Sequence, residues 1–266
     1  AAFALALEAW RFPNAGGYRP LPPLQLACSG QDVEAASQEW QQLAKQNPQL
    51  ETALNWLKRQ FKDAPVLGSL IDIKRAPYEG KAQGAPAPWQ QLLDAKAQSD
   101  DESKDVSVTA QGLALAAKLL AGSYHLVATN VPYLGRGKQC AVLQDFCENY
   151  YPEAKADLAT VFLERCLDFN PQGGSSTIVL PQNWLFLTSY KKFREKLLTE
   201  QTWNLLARLG EKGFESAAAA GAFVALITLS KGVAPKEALL RGMDVAELKT
   251  AMEKSQAICS IIIKPI

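Results

Sequence analysis

The stretch Tyr124-His125-Leu126-Val127-Ala128-Thr129-Asn130-Val131-Pro132-Tyr133 organises the rest of this 266-residue chain. Its first six residues are mostly apolar, β-branched or aromatic, which predicts a short buried strand. Pro132 ends the ladder pairing, because proline has no backbone N–H to donate. Open α/β sheets bind ligands at the carboxyl ends of their strands, so Asn130 and Tyr133 should lie at a ligand-binding edge. An amide and an aromatic ring at that edge favour a flat, polar ligand such as a nucleobase.

Strand and helix patterns alternate on both sides of this stretch, which predicts an α/β fold with a mostly parallel sheet. Upstream, Leu24–Cys28 alternates like a short strand. The downstream predictions are a helix over 155–169, a strand over 177–180, a helix over 189–198 that Ser189 could cap, strands over 203–209 and 222–229, a helix over 236–254 and a strand over 258–263. The segment 33–121 is patterned mostly as helices and loops, which predicts a helical insertion beside the sheet.

Composition is that of an ordinary globular protein and excludes few functions. Apolar residues make up 48% and charged residues 21% of the chain, and no apolar run approaches the length of a membrane span. Five scattered cysteines and a single histidine make a zinc site improbable and fit reduced, cytosolic thiols. A net charge of +1 gives no argument for a nucleic-acid partner from bulk charge alone.

Four motifs follow the opening stretch in a fixed order, and together they carry a family resemblance. They are Asp157–Phe162, Ile178–Trp184, Tyr190–Arg194, and Leu209-Gly210 with Phe214. With Ala128–Tyr133, this set resembles the S-adenosylmethionine-dependent DNA adenine N6-methyltransferases that carry an Asn-Pro-Pro-Tyr motif. The most similar subgroup is the large methyltransferases of BREX phage-defence systems and of fused restriction–modification enzymes. The resemblance is densest over residues 124–231 and implies a Rossmann-like sheet whose last two strands form an antiparallel pair.

The resemblance also implies roles for particular residues. The Asn130 side-chain oxygen and the backbone carbonyl of Val131 would accept hydrogen bonds from the target adenine amine, with Pro132 holding the turn. Tyr133 would stack on the flipped base, and Phe214 matches the family's second aromatic residue. Asn183 and Trp184 are candidates for substrate contacts, although core packing is an equal alternative for them. The implied cofactor is S-adenosylmethionine, and the implied partners are double-stranded DNA and other restriction or phage-defence subunits.

The sequence departs from the family pattern at two places. Val131 stands where the first proline is usual, which removes some rigidity but keeps the carbonyl. The family's glycine-rich cofactor loop does not occur, and only Ser29 and Asp32 are weak candidates for cofactor contact. We therefore expect a partial catalytic domain over 1–266, with the cofactor half incomplete. The sheet should then have a gap beside Tyr124–Thr129, which predicts a marginally stable, aggregation-prone chain.

Other interpretations stay open at this point. The same Asn-x-Pro-Tyr pattern serves protein-glutamine methylation, and the chain could instead be a truncated, non-catalytic DNA-binding or assembly module. Leu134–Lys138 is interpreted as a mobile loop rather than a phosphate cradle, since it lacks the third glycine of a dinucleotide-binding loop and the spacing and Ser/Thr of a P-loop. The basic residues of 189–198 favour a solvated face over a phosphate contact. His125 is expected to be a core residue rather than a catalyst.

Overall fold

The computed structural model of the chain describes residues 2–12, 16–30, 33, 40, 48–79, 81–97, 108–213 and 222–262. The chain divides into two compact units, Ala1–Gly122 and Ser123–Ile266. The first unit is helical in its described part. Its helices are α1 (Ala2–Arg11), α2 (Pro48–Gln60), α3 (Ala64–Leu67), α4 (Pro88–Ala97) and α5 (Val108–Leu120).

An aromatic cluster lies at the centre of the first unit. Trp56 of α2 is buried, and its indole N–H donates to the carbonyl of Pro77 at 2.8 Å. The Trp89 ring of α4 lies 5.4 Å from that of Trp56, between ring centroids. Helix α2 begins at Pro48, a residue type favoured in the first turn of a helix, and most of residues 31–47 lie outside the described part of the chain.

The predicted strand Leu24–Cys28 is wrong. These residues are exposed and form no strand. Pro20, Pro22 and Pro23 directly precede them, and prolines remove the donors that a ladder needs. We expected a gap in the sheet beside Tyr124–Thr129, with the Leu24–Cys28 strand on its other side. That second strand does not form.

The second unit contains a five-stranded sheet with helices packed against it. The strands are β1 (Leu126–Asn130), β2 (Ser175–Pro181), β3 (Gln201–Gly210), β4 (Val224–Lys231) and β5 (Arg241–Asp244). The helices are α6 (Ala141–Tyr150), α7 (Leu158–Phe169), α8 (Lys191–Glu200) and α9 (Ala251–Ile262). Ser189 does not cap α8, because Tyr190 occupies the cap position and no side chain bonds there.

The strands are arranged in the order β1-β2-β4-β3-β5. The ladders β1–β2 and β3–β5 are parallel, whereas β4 is antiparallel to both β2 and β3. Four strands therefore run in one direction and β4 alone runs against them. This confirms the predicted α/β sheet, mostly parallel in direction, with β3 and β4 as its antiparallel pair.

The centre of the sheet is apolar, and one face of β2 and β4 is fully buried there. Ile178 and Leu180 of β2 are fully buried, as are Ile227 and Leu229 of β4. The alternation of buried and half-buried residues along β2 is the period-two pattern of a strand. Helix α7 packs on this region through an almost continuous run of buried residues.

The carboxyl-terminal tail differs from the prediction in two elements. The predicted helix over 236–254 is wrong in its first part, where β5 instead pairs in parallel with β3. The predicted strand over 258–263 is also wrong, because Ile258 lies within α9. A short apolar run does not distinguish a strand from a buried helical segment, and β5 already occupies the outer edge of β3.

β1 is the outermost strand on its side of the sheet, so it is not the fully buried strand that its composition predicts. Leu126 is 66% exposed, and exposure alternates along the strand. His125 is exposed, so its prediction as a core residue is wrong, and its carbonyl accepts from Ser175 N at 2.8 Å. β1 is nevertheless paired with β2 along its whole length, which fixes where Asn130 lies.

Candidate active site

Asn130 is the last residue of β1 and lies at the edge where β1 and β2 both end. It is aligned with Val179 in the parallel ladder, and β2 ends shortly afterwards at Pro181. Asn130 is exposed, and its Oδ1 accepts a hydrogen bond of 3.3 Å from the Tyr133 hydroxyl. The amide therefore lies at the open carboxyl edge of the sheet, with its oxygen held by an aromatic residue of the same turn.

A hydrogen bond and a packing contact position the Tyr133 side chain. Its hydroxyl donates to Asn130, and its ring packs against a buried cluster where β3 ends and β4 begins. The cluster consists of Ala207, Leu209, Val224 and Val245. Burial, helped by the negative charge of Asp157, raises the pKa of Tyr133 to about 12. The hydroxyl is therefore protonated at neutral pH and remains a hydrogen-bond donor.

Val131 and Pro132 complete the turn. Val131 is 5% exposed, so its side chain belongs to the core, whereas Pro132 is exposed. Valine at this position therefore contributes an apolar side chain to the core while keeping a backbone carbonyl next to Asn130. Packing of the Val131 side chain in the core therefore restrains this residue, which in the family pattern is restrained by a proline ring.

Backbone hydrogen bonds connect the residues that follow Tyr133 to the residues at the start of α7. Gly135 and Asp157 form an isolated antiparallel bridge. Two backbone hydrogen bonds of 3.0 Å flank it: Leu158 N to Leu134 O and Arg136 N to Ala156 O. Residues 134–136 and 156–158 thus form a short antiparallel clamp beside the turn.

The side-chain carboxylate of Asp157 accepts further hydrogen bonds at the same place. As the residue that caps α7, it accepts a hydrogen bond from Ala159 N at 2.8 Å. The same Oδ1 atom accepts from Leu134 N at 3.4 Å. One carboxylate therefore joins the start of a helix to the residue that follows Tyr133.

The segment Leu134–Lys138, predicted as a loop, contains a turn that is held by tertiary contacts. Residues Arg136–Lys138 form one 3₁₀ turn. The Arg136 guanidinium pairs with Glu148 of α6 at 2.5 Å, and Gln144 donates to the Arg136 carbonyl at 3.1 Å. Short glycine-containing segments become ordered when tertiary partners use their backbone groups, and the sequence alone does not reveal such partners.

Asn183 and Trp184 follow β2 at the same edge, and the structure separates them. Asn183 is exposed, whereas Trp184 is 2% exposed and packs against the rings of Phe193 and Trp203. Core packing is thus the observed role of Trp184, and its indole N–H has no partner. Asn183 keeps a side chain that a ligand could reach.

The basic residues of α8 are mostly engaged within the protein. Arg194 donates to the carbonyls of Trp184 and Leu187 at 2.6 and 2.7 Å, which ties α8 to the segment after β2. Lys196 pairs with Glu164 of α7 at 2.7 Å. The Arg194 and Lys196 side chains therefore stabilise the fold. Neither of the two predicted alternatives, a solvated face or a contact with DNA phosphate, describes them.

A pocket of about 190 Å³ opens between the start of α7 and the segment after β2. Its lining residues are Asp157, Ala159, Thr160, Pro181, Asn183, Trp184, Leu187 and Tyr190. The pKa of Tyr190 is raised, chiefly by burial and further by the charge of Asp157. Asp157, whose carboxylate accepts from Leu134 N, therefore also lines this pocket.

The remaining predicted site residues are Ser29, Asp32 and Phe214. Ser29 is half-buried and lies beside Gly68 within the first unit. Asp32 and Phe214 lie outside the described residues. Within the described part of the chain, no group of three or more His, Cys, Asp or Glu residues is placed to hold a metal ion. No helix described here is long and apolar enough to cross a membrane.

Asp157 stands in one of the sequence motifs, but no role was predicted for it there. Its signal was an acidic residue directly before an apolar helical pattern, which is typical of an N-cap. Its second partner, Leu134, is 23 residues away along the chain, and nothing local indicates that contact.

Comparisons with known proteins show which family the chain resembles. A family model described as Eco57I restriction-modification methylase matches residues 26–214. The adenine-specific methyltransferase BrxX of Escherichia coli O9:H4 (strain HS) is 30% identical over 154 residues, which cover 58% of this chain and 12% of that protein. The adenine-specific methyltransferase PglX of Lacticaseibacillus casei (strain Zhang) is 37% identical over 98 residues, or 37% of this chain and 8% of that protein. The chain spans about a tenth of the length of these curated relatives.

Solved structures give more distant matches. A nuclease-deletion mutant of the Type ISP restriction-modification enzyme LlaGI, in complex with a DNA substrate mimic, is 11% identical with a TM-score of 0.44; the match covers 65% of this chain and 19% of that one. A crystal structure from Listeria monocytogenes, described as that of a class I S-adenosylmethionine-dependent methyltransferase, is 15% identical with a TM-score of 0.38; the match covers 59% of this chain and 53% of that one.

Proposed function

Because the chain belongs to the Eco57I restriction-modification methylase family, we propose that it carries the target-base half of a DNA adenine N6-methyltransferase. The observation that carries the proposal is the exposed Asn130 amide at the carboxyl end of β1, held by the Tyr133 hydroxyl. The relatives BrxX and PglX are adenine-specific methyltransferases, which supports adenine as the target. Restriction–modification or phage defence is the proposed setting, in the cytoplasm, with double-stranded DNA and other defence subunits as partners.

The chemistry needs acceptors more than it needs a base. The lone pair of the adenine amine is delocalised into the ring, so the nitrogen must move toward tetrahedral geometry as it is methylated. The Asn130 oxygen and the Val131 carbonyl would each accept one of the amine hydrogens and stabilise the positive charge that develops. The target base has to leave the duplex to reach them, at a cost of a few kcal/mol. Stacking on Tyr133 would return about 1–3 kcal/mol of that cost.

The methyl donor that we propose is S-adenosylmethionine, which supplies a methyl group bound to a positively charged sulfur. Transfer forms the N–C bond at N6, breaks the C–S bond with its electron pair left on sulfur, and releases one N6 proton to water. The described residues do not form a glycine-rich cradle for this donor, and Ser29 and Asp32 stay weak candidates. We therefore assign the acceptor half of the reaction, and not the donor half, to the residues around Asn130.

Substitution of Asn130 tests the proposal in the full-length protein. We expect Asn130→Ala to lower methyl transfer to adenine in duplex DNA by about 100-fold or more, because one acceptor at a developing charge is lost. Donor binding, measured by titration calorimetry with S-adenosylmethionine, should be nearly unchanged, because Asn130 should touch only the target nitrogen. Asn149→Ala is the matched control, since Asn149 is an equally exposed asparagine on α6.

The same assay separates the alternatives. More than a tenth of wild-type activity in the Asn130→Ala protein would contradict the assignment. Methyl transfer to glutamine in proteins, with none to DNA, would instead establish the protein-methylation interpretation. Absence of methyl transfer from the unmodified full-length protein to either substrate would favour a non-catalytic module.

A further inference from the structure

We propose that Asp157 is a positioning residue for methyl transfer: its carboxylate fixes the chain that leaves Tyr133 and so sets the place of the Asn130 amide. The inference rests on the proposed function, because the turn has a reaction to serve only if the chain takes part in methyl transfer. Asp157 itself is not expected to touch the target base.

The first step of the argument is that the Asp157 carboxylate serves two elements at once. Oδ1 accepts from Ala159 N at 2.8 Å, as the cap of α7, and from Leu134 N at 3.4 Å. A residue that only capped the helix would need the first contact alone. The second contact reaches the backbone of the residue that directly follows Tyr133.

The second step is that Tyr133 carries this restraint to Asn130. The position of Leu134 fixes the backbone from which the Tyr133 ring projects into its buried cluster. The hydroxyl at the far end of that ring holds Asn130 Oδ1 at 3.3 Å. The ladder with β2 already fixes the Asn130 backbone, whereas the exposed Asn130 side chain gains its restraint from this bond.

The third step concerns charge. The carboxylate of Asp157 faces Tyr133 closely enough to raise its pKa, in addition to the larger effect of burial. The hydroxyl is protonated at neutral pH with or without this charge, so the charge is not a second restraint on Asn130. The effect on the pKa instead reports that the Asp157 carboxylate lies close to Tyr133.

Two substitutions in the full-length protein separate positioning from charge. Asp157→Asn keeps an oxygen that can accept from Leu134 and Ala159 and that caps a helix nearly as well. We expect it to retain kcat within about threefold, because the hydrogen-bonding geometry survives. Asp157→Ala removes both contacts, and we expect kcat to fall by about 10- to 100-fold. The KM for DNA and the affinity for S-adenosylmethionine should stay within about threefold, because the loss is in alignment rather than in binding.

Cys166→Ala is the control for a general loosening of α7. Cys166 is 4% exposed on the same helix and does not line the pocket, so the substitution removes buried packing from α7 and leaves the bonds of Asp157 to Leu134 and Ala159 in place. We expect this variant to keep kcat within about threefold of wild type, since an intact turn aligns the amide as before. A fall in kcat equal to that of Asp157→Ala would overturn the proposal and assign the effect to α7 as a whole.

A spectroscopic measurement adds a readout that a purely structural role would not move. The pKa of the Tyr133 phenol, from the difference in tyrosinate absorbance between each protein and its Tyr133→Phe version, should fall in Asp157→Asn. An unchanged phenol pKa would overturn the proximity of the two groups. If Asn130→Ala abolishes transfer while Asp157→Ala does not lower kcat, this inference fails and the proposed function stands. If Asn130→Ala retains activity, the proposed function fails first.

Discussion

Single residues in the second unit show how burial competes with pairing. Glu164 of α7 is 8% exposed and accepts a hydrogen bond of 2.7 Å from Lys196 of α8. Burial nevertheless raises its pKa, and the charges of Asp168 and Glu200 add to this against the opposing effect of Lys196. The ion pair therefore does not fully compensate the removal of the carboxylate from water.

The raised pKa of Glu164 determines how this carboxyl group changes the stability of the fold with pH. A group whose pKa is higher in the folded state contributes stability that is fully present below its unfolded pKa and is lost as pH rises through the folded value. We therefore expect Glu164→Gln to stabilise the protein on the order of 1 kcal/mol near pH 7.5, since the amide keeps the acceptor without the charge. The gain should shrink toward zero as pH falls to about 4.3, the usual glutamate pKa.

Chemical denaturation at neutral and at mildly acidic pH measures this difference. Glu195→Gln is the control, because Glu195 pairs with Lys191 on the exposed face of α8 at 3.7 Å. That variant should change stability little at either pH. A destabilised Glu164→Gln protein at neutral pH would show that the pair with Lys196 is net favourable.

At the scale of elements, one buried lysine attaches the last helix to the sheet. Lys254 of α9 is 2% exposed, and its ammonium donates to the carbonyls of Leu209, Val245 and Ala246 at 2.5, 3.0 and 3.1 Å. These carbonyls lie at the end of β3 and just after β5. Burial lowers the pKa of Lys254, while nearby acidic residues oppose that effect.

We expect Lys254→Met to destabilise the protein by about 2–3 kcal/mol, because buried carbonyls lose their partner. Faster hydrogen exchange should be confined to α9 and the segment after β5, since those elements lose their attachment first. Lys249→Met is the control at an exposed position just before the helix. Equal destabilisation by both substitutions would contradict the attachment role.

At the scale of the whole molecule, β1 presents an open edge. It is the last strand beside β2 in the described sheet, and Leu126 on it is 66% exposed. An open, apolar edge strand is a template for pairing with another chain. This retains the expectation of an aggregation-prone chain, although the flanking strand at Leu24–Cys28 that we expected is absent.

We expect Leu126→Lys to reduce self-association of the isolated chain with little change in its melting temperature, because a charge on an edge strand opposes pairing. Sedimentation velocity measures the association, and thermal denaturation measures the stability. Leu198→Lys is the control, since Leu198 is 60% exposed on α8 and lies on no strand edge. An unmodified chain that stays monomeric at high concentration would contradict the prediction.

The sequence by itself determined the elements whose pattern is local. The α/β class and the strand that ends at Asn130 follow from periodicity and turn residues, whereas the antiparallel pair formed by β3 and β4 was implied by the family resemblance. The helix predicted over 155–169 is observed as α7, which begins three residues later, at Leu158. The four-residue turn and its place at a carboxyl edge were also predictable, because parallel strands end together. Even Val131 was anticipated as a tolerated departure, since the turn uses its backbone carbonyl.

Only the tertiary structure decided the features that depend on which neighbour a segment meets. Ile258 lies in a helix rather than a strand because β5 pairs with β3, a choice made between segments far apart in the chain. Trp184 is in the core because the rings of α8 and β3 surround it. The link from Asp157 to Leu134 joins residues 23 positions apart. Propensity acts within a few residues, whereas these contacts are selected by packing, and packing is a property of the folded molecule.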